Sequence, residues 1–256
     1  MKLLSFILTL SLLITVQAEQ IVKLTGQDKL LKVQKLNAKT DGSISYIYNG
    51  KLWIAPEFSY DYARIPKPRE IITADRFLSR KIYPLAEQFY VKAYNRYKNL
   101  GWGVYCITGR AKALDGAGKA KRALVALERL KDVVAVDPQV KQELVTARML
   151  HTDLLIKDRK YKEALALTEK LLFSEDDPVV FFAYDRNGDI AQLQKDKKEA
   201  VRNYLQAYYL ISSHPRKAEV LYKAAVLLKE LKDPRWKKFA DILKKQYSNS
   251  IYAGKL

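Results

Sequence analysis

The sequence predicts a mainly α protein, in which a superhelix of about five stacked helical hairpins follows a small antiparallel β module. Residues 21–54 alternate apolar and polar side chains with the period of a strand. From residue 69 onward, apolar residues recur at helical spacing between short polar breaks. In that second part a small residue also recurs at nearly constant intervals, which is typical of a repeat architecture.

Composition limits the classes of function. The 256 residues carry a formal net charge of +18, and 48% of them are hydrophobic, so the chain can bury a core and is not a disordered basic tail. One cysteine excludes an intrachain disulfide, and two histidines exclude a site built from several histidines. The length allows one or two domains.

Residues 1–18 have the pattern of a secretory signal peptide. Lys2 supplies the positive start, Leu3 to Val16 is almost wholly apolar, and Ala18 ends a small-residue cleavage site. The apolar stretch is shorter than the roughly 20 residues that span a bilayer. We expect cleavage before Glu19 and export to the periplasm or the extracellular space, with no transmembrane segment in the mature chain. An uncleaved anchor or a buried core helix is the alternative.

Residues 19–59 predict the β module, with three or four antiparallel strands. Asn49-Gly50 stands between two alternating runs, and this pair is the strongest short-range signal for a hairpin. An SH3-like small barrel is the nearest fold. Residues 60–68 contain Pro66 and Pro68, which favour extended chain and predict a linker. The helical part then occupies residues 69–256.

The repeat is clearest in the second helix of each predicted hairpin. Its anchor position is a small residue in four of the five units, and successive anchors are 37, 41, 36 and 39 residues apart. The five anchor residues are Ala86, Ala123, Ala164, Ala200 and Phe239. A second small residue precedes each of the first four anchors by 12 positions, at Ala74, Ala111, Thr152 and Gly188.

This pattern resembles the tetratricopeptide repeat over about residues 69–247. In Tyr83-x-x-Ala86-x-x-Phe89-Tyr90-x-x-Ala93, an aromatic residue precedes a small residue by three positions, and bulky and small residues follow at the family's spacing. The family's early tryptophan and its Leu-Gly pair are mostly missing. The alternative is an irregular helical bundle, although a bundle has no reason to repeat a small residue. The resemblance implies a right-handed superhelix whose concave face binds a protein or peptide segment.

By register with that family, the first helices contribute the residues of the groove. The predicted groove residues are Tyr105, Thr108, Lys112, Met149, Asp153, Phe182, Asp185, Asp189 and Gln192. Only Lys112 fits the family's clamp for a peptide carboxylate, and three acidic residues oppose it. We therefore expect a groove for a basic or apolar segment.

Catalytic and metal-binding patterns are weak. Cys106 has no histidine near it in sequence, and His151 and His214 fit a helix core and a turn. The acidic run from Asp185 resembles a calcium loop, but Ile190 replaces the glycine that such a loop needs and the run falls in a predicted helix. We expect a non-enzymatic protein without metal or cofactor. An enzyme remains open only because the β module matches no characterised activity.

The positive charge is concentrated on the helical part, where the net charge is +14 against +3 for residues 19–68. Three clusters at the hairpin turns should align as a basic ridge, formed by Lys119, Lys121, Arg122, Lys157, Arg159, Lys160, Lys195, Lys197 and Lys198. Such a ridge would attract an anionic surface by its long-range field. The sequence thus favours an exported scaffold that binds protein. An adaptor to an anionic lipid or cell-wall polymer is the alternative, and export argues against a nucleic-acid partner.

Overall fold

The computed structural model describes residues 19–256, so the predicted signal peptide lies outside the described residues. The strands are β1 (Gln20–Leu24), β2 (Leu30–Ala38), β3 (Ile44–Tyr48), β4 (Lys51–Ala55) and β5 (Tyr60–Arg64). The helices are α1 (Arg69–Ser79), α2 (Tyr83–Tyr97), α3 (Gly103–Gly116), α4 (Ala120–Glu128), α5 (Pro138–Lys157), α6 (Tyr161–Leu172), α7 (Asp177–Leu193), α8 (Lys197–Leu210), α9 (Lys217–Glu230) and α10 (Trp236–Gln246). The predicted order of a β module followed by helical hairpins is confirmed.

The β module is one antiparallel sheet with the strand order β4-β3-β2-β1-β5. β2 is shared by both halves of the sheet: its first half pairs with β1, and its second half pairs with β3, with an irregularity in that pairing between Gln34 and Asn37. The module is therefore the expected antiparallel one, and its likeness to an SH3 barrel stays a prediction. The turn between β3 and β4 is formed by Asn49 and Gly50, which both have positive φ angles, 50° and 74°. The predicted hairpin is therefore present.

The predicted linker at residues 60–68 begins too early. Tyr60–Arg64 forms β5 and pairs with β1, so the module has a fifth strand and the connection shrinks to residues 65–68. The two prolines restrict only Pro66, Pro68 and the residues just before them. Upstream of them, the alternating run that begins at Tyr60 is free to complete the sheet.

The two edges of the sheet have different surroundings. At the β5 edge, Ile65 donates a backbone hydrogen bond to Leu100, the Trp102 indole donates to the Ile65 carbonyl at 3.0 Å, and Arg64 pairs with Asp137 at 2.8 Å. These contacts fix the sheet to the first hairpins. At the other edge, β4 exposes Leu52 and other apolar side chains, and no described element covers it.

The hairpins form because small residues let two helices approach closely. Every second helix begins at the first residue of its predicted motif, and the four alanine anchors have no exposed surface. Gly188 shows how tight the contact is, because a Cβ atom there would lie 2.4 Å from the ring of Tyr204, which is fully buried. The small residue repeated at the anchor position therefore allows the close contact between the two helices of a hairpin.

Each hairpin also turns in the same way. The turn residue has a left-handed φ angle, and the next residue donates a backbone hydrogen bond to the carbonyl five positions earlier, which is the Schellman motif. The turn residues are Lys81, Gly118, Arg159, Lys195 and Lys232. Four of the five are basic, although glycine adopts this conformation more easily. The turns therefore carry positive charge at a repeated position.

We expect Gly188→Val to destabilise the protein by about 2 kcal/mol, because the added side chain must displace the buried Tyr204 ring. The free energy of unfolding, measured by circular dichroism in urea, tests this. Ala166→Val adds bulk at an exposed position of α6 and should cost less than about 0.7 kcal/mol, the range of helix propensity alone. Equal losses in the two variants would contradict the packing argument.

Candidate functional site

The first helices of successive hairpins form an inner layer. α1 contacts α3, α3 contacts α5, and α5 contacts α7. A cavity of about 410 Å³, called the inner cavity below, opens between α1, α3 and α5. Three predicted groove residues line it, namely Tyr105, Thr108 and Lys112 of α3. These three residues of α3 therefore lie on one wall of the cavity.

The floor of the cavity is built around Asp75 of α1. The Tyr90 hydroxyl donates to its Oδ1 at 2.6 Å, the Tyr105 hydroxyl donates to its Oδ2 at 2.9 Å, and the Lys67 ammonium lies 2.5 Å from Oδ2. Lys67 also lies 4.3 Å from the centre of the Tyr105 ring. Burial, reinforced by the bond to Asp75, raises the pKa of Tyr90. Asp75 is thus fully engaged by neighbouring groups and holds the aromatic wall in place.

Glu143 of α5 provides a different carboxyl group. Its Oε1 accepts a hydrogen bond from the Gln139 amide at 2.9 Å, but its Oε2 is buried without a partner in residues 19–256. Burial raises the pKa of Glu143. Beside it the cavity presents Tyr105, the apolar Leu78 and, at the rim, the exposed Lys112. The cavity is therefore lined by apolar and aromatic surface together with the Glu143 carboxyl group.

The predicted acidic part of the groove is not a free acidic surface. Asp185 has no exposed surface, and its carboxylate lies 2.8 Å from Arg186, from Arg216 and from Lys223. Asp189 pairs with Arg186 and Lys223, at 3.1 and 2.8 Å. These cations neutralise the acids, so the expectation that Asp185 lines the groove is wrong.

The same network takes up two more predicted groove residues. Asp153 lies 2.6 Å from Arg186, and the side chain of Gln192 lies 3.0 Å from the Tyr204 hydroxyl. Burial opposes the charge of Arg186, but Asp153 and the other acids outweigh it and raise its pKa. Lys223 belongs to α9 and lies more than thirty residues along the chain from Asp185 and Asp189, so these ion pairs could not be predicted from spacing in the sequence. Arg186 was within reach of sequence reasoning because it stands three residues before Asp189 on one helix.

The remaining predicted groove residues are apolar or buried. Phe182 packs against Leu171 and Val179, and the half-buried Met149 contacts the same cluster. The Arg186 guanidinium lies 4.9 Å from the centre of the Phe182 ring. Although Thr108 lines the cavity, it is largely buried and its hydroxyl donates to the Val104 carbonyl. Phe182 and Thr108 therefore support the groove more than they present a surface to a partner.

All nine residues of the predicted basic ridge are exposed. Lys157 pairs with Asp115 of the preceding hairpin at 2.8 Å, and Lys197 pairs with Glu230 of the following hairpin at 3.1 Å. These pairs show that turns of successive hairpins lie next to each other. Arg122 pairs with Glu87, and Lys160 lies 3.8 Å from Asp158. In residues 19–256 the other five form no ion pair; they are Lys119, Lys121, Arg159, Lys195 and Lys198.

The side chains considered for catalysis lie in packed surroundings. Burial raises the pKa of the Cys106 thiol to about 12, and burial lowers the pKa of His151. His214 stacks on Phe181 with ring centres 3.6 Å apart. The acidic run from Asp185 lies within the continuous helix α7. Across residues 19–256, histidine, cysteine and acidic side chains form no group suited to a metal ion, and no helix is long and apolar enough to cross a membrane.

Neither a protein-family model nor any curated protein matches the sequence. Solved structures do resemble the fold. PilW, described as a widely conserved type IV pilus biogenesis factor, aligns with a TM-score of 0.56 and 12% identity over 73% of this chain and 80% of its own. MamA aligns with a TM-score of 0.47 and 20% identity over 68% of this chain and 98% of its own. The helical part of this chain is a superhelix of tetratricopeptide-like hairpins, a fold that it shares with PilW.

We expect Glu143→Gln to stabilise the protein at pH 7.5 but not at pH 4. Because the pKa of Glu143 is raised on folding, the folded state holds this proton more tightly than the unfolded chain. The carboxyl group therefore weakens folding as the pH rises from its ordinary pKa of 4.5 through the raised value, and below 4.5 this penalty is absent. Urea unfolding at the two pH values measures the difference. Glu169→Gln, at an exposed site on α6, is the control and should show no comparable change. A gain for Glu143→Gln that is equal at both pH values would contradict this account.

Proposed function

We propose that this protein is an exported, non-enzymatic scaffold that binds a segment of another protein in the cavity of the inner helices. The cavity carries the proposal, because it combines a fixed aromatic wall with a buried carboxyl oxygen that has no partner among the described residues. A partner that supplies a hydrogen-bond donor would satisfy that oxygen and remove the cost of leaving it unpaired.

The chemistry of the cavity indicates the kind of partner segment. A lysine or arginine side chain offers an apolar stem for Leu78 and Tyr105 and a cationic head for Glu143. The acids of α7 do not contribute, since their charges are already paired. We therefore infer that recognition centres on α3 and α5, and not on the whole length of the groove.

The setting of the proposed function is the cell envelope. The N-terminal sequence has the pattern of an export signal. The likeness to PilW, described as a type IV pilus biogenesis factor, supports a scaffold for envelope assembly. At 12% sequence identity, this likeness is one of fold. The burial of Cys106 and His151 supports a non-enzymatic role.

A side chain that fills the cavity should block the partner. Thr146 lines the cavity from α5 and is exposed, so Thr146→Trp should close it without disturbing the core. A crosslinked pull-down from the native cells with mass spectrometry identifies the partner, and calorimetry with the purified partner measures affinity. We expect at least tenfold weaker binding for Thr146→Trp.

The matched control is Ala166→Trp, which adds the same side chain at an exposed position of α6, away from the cavity. It should bind the partner as the unmodified protein does. If Thr146→Trp retains full affinity, the inner cavity is not the binding site.

The second candidate function is an adaptor to an anionic envelope surface through the basic ridge. The five ridge residues without an ion pair in the described chain favour it, as does the repeated basic residue at the turns. Each basic residue that reaches an anionic membrane contributes about 1 kcal/mol, and salt screens the attraction. An extended ridge would therefore bind through several weak, additive contacts.

Charge reversal tests the ridge. Arg159→Glu with Lys160→Glu should lower binding to phosphatidylglycerol vesicles at least tenfold, and binding of the unmodified protein should fall as salt rises. Lys29→Glu with Lys51→Glu makes the same change of charge at exposed positions of the β module and is the control. Cosedimentation measures both variants. Equal loss in the two would show that net charge acts, and not the ridge.

A further inference from the structure

A second cavity, of about 230 Å³, lies between α3 and α4 and shares no lining residue with the inner cavity. Four of its six lining residues are cationic: Arg110 from α3, Lys121 and Arg122 from α4, and Arg129, which directly follows α4. We call this cavity the outer anion site. Its charge separates it from the inner cavity, which is lined by carboxyl and hydroxyl groups.

Helical geometry places two cations in α4 and one directly after it, since Arg129 keeps a helical backbone conformation. Lys121, Val125 and Arg129 are four residues apart in succession, so they lie along one side of the helix. Lys121 and Arg122 also stand in the first turn, which contains no acidic residue. The partial positive charge at the start of a helix adds to theirs. At the start of α4, side chains and backbone therefore contribute positive potential together.

The acids near the site do not balance this charge. Glu87 of α2 accepts from Arg122 at 3.0 Å and lies 3.4 Å from Arg110, so one carboxylate serves two guanidinium groups. Lys121 and Arg129 pair with no acid within residues 19–256. The Arg110 Nε is buried and has no acceptor in the described chain. A buried donor without an acceptor is costly, and the same arginine lines the cavity.

We propose that the outer anion site binds a phosphate group. Guanidinium groups present forked donors that match the oxygens of phosphate, and three arginines line this cavity. Phosphate also offers more acceptor oxygens than a carboxylate, as a site with four cationic side chains requires. The inference rests on the second candidate function, the adaptor to an anionic surface. It adds to that function the chemical group, phosphate, that would bind to the basic ridge at the second hairpin.

The test titrates inorganic phosphate into the protein by calorimetry at constant ionic strength, with chloride as the reference anion. Arg110→Gln with Arg129→Gln should raise the dissociation constant at least tenfold. Arg129→Gln alone should also weaken binding, and it guards against misfolding because Arg129 is exposed. Lys195→Gln with Lys198→Gln removes the same charge from the ridge outside the cavity and should change the constant less than twofold.

Vesicles identify the source of the phosphate group. If the double arginine variant binds both free phosphate and phosphatidylglycerol vesicles more weakly, the phosphate group belongs to a lipid. If only its binding of free phosphate is weakened, the phosphate group belongs to a soluble ligand. The inference is overturned if phosphate binds no better than chloride, or if the cavity variant and its control weaken equally. The ridge variant Arg159→Glu with Lys160→Glu should leave the free phosphate titration unchanged, so the failure of either proposal can be recognised separately.

Discussion

The structure depends on how closely the two helices of each hairpin approach one another. Ala86, Ala123, Ala164 and Ala200 are fully buried where the helices meet, and larger side chains there would force the helices apart. In the fourth hairpin Gly188 of α7 lets the Tyr204 ring of α8 lie directly on the backbone, and Gly109 of α3 does the same for Tyr90 of α2, between the first hairpin and the second. This spacing makes the hairpins alike. Because they are alike, their first helices can stack on each other as one inner layer.

That stacking decides where charge is buried. Tyr90 reaches Asp75 and Tyr204 reaches Asp189 across equivalent hairpins, and each acid is also held by a lysine, Lys67 and Lys223. Burying ions costs solvation energy, so such groups add little stability by themselves. Displacing one hairpin would, however, leave buried charges without partners, which is strongly unfavourable. The two networks therefore favour one register of the stacked hairpins.

The same architecture separates two kinds of surface. The inner cavity contains a carboxyl group whose charge is disfavoured by burial, whereas the turns carry basic residues in left-handed conformations. Neutralisation of the α7 acids by Arg186, Arg216 and Lys223 removes the competing negative surface from the C-terminal hairpins. The result is an inner cavity beside α3 that contains a carboxyl oxygen without a hydrogen-bond partner in the described residues, and a basic ridge along the turns. The proposed partner segment and the proposed anionic group would therefore bind at separate places.

The sequence by itself determined the β module, the Asn49-Gly50 turn, the start of every second helix and the exposure of the basic turns. These features follow from local spacing and turn preference, which neighbouring residues carry. Only the tertiary structure decided the state of the groove. Asp185 becomes a buried, neutralised group because Arg216 and Lys223 approach it from a later hairpin, and Glu143 meets Tyr105 only when α5 packs on α3. Contacts between hairpins depend on how the hairpins stack. The repeat pattern predicts that they stack, but it does not predict which charged residues the stacking brings into contact.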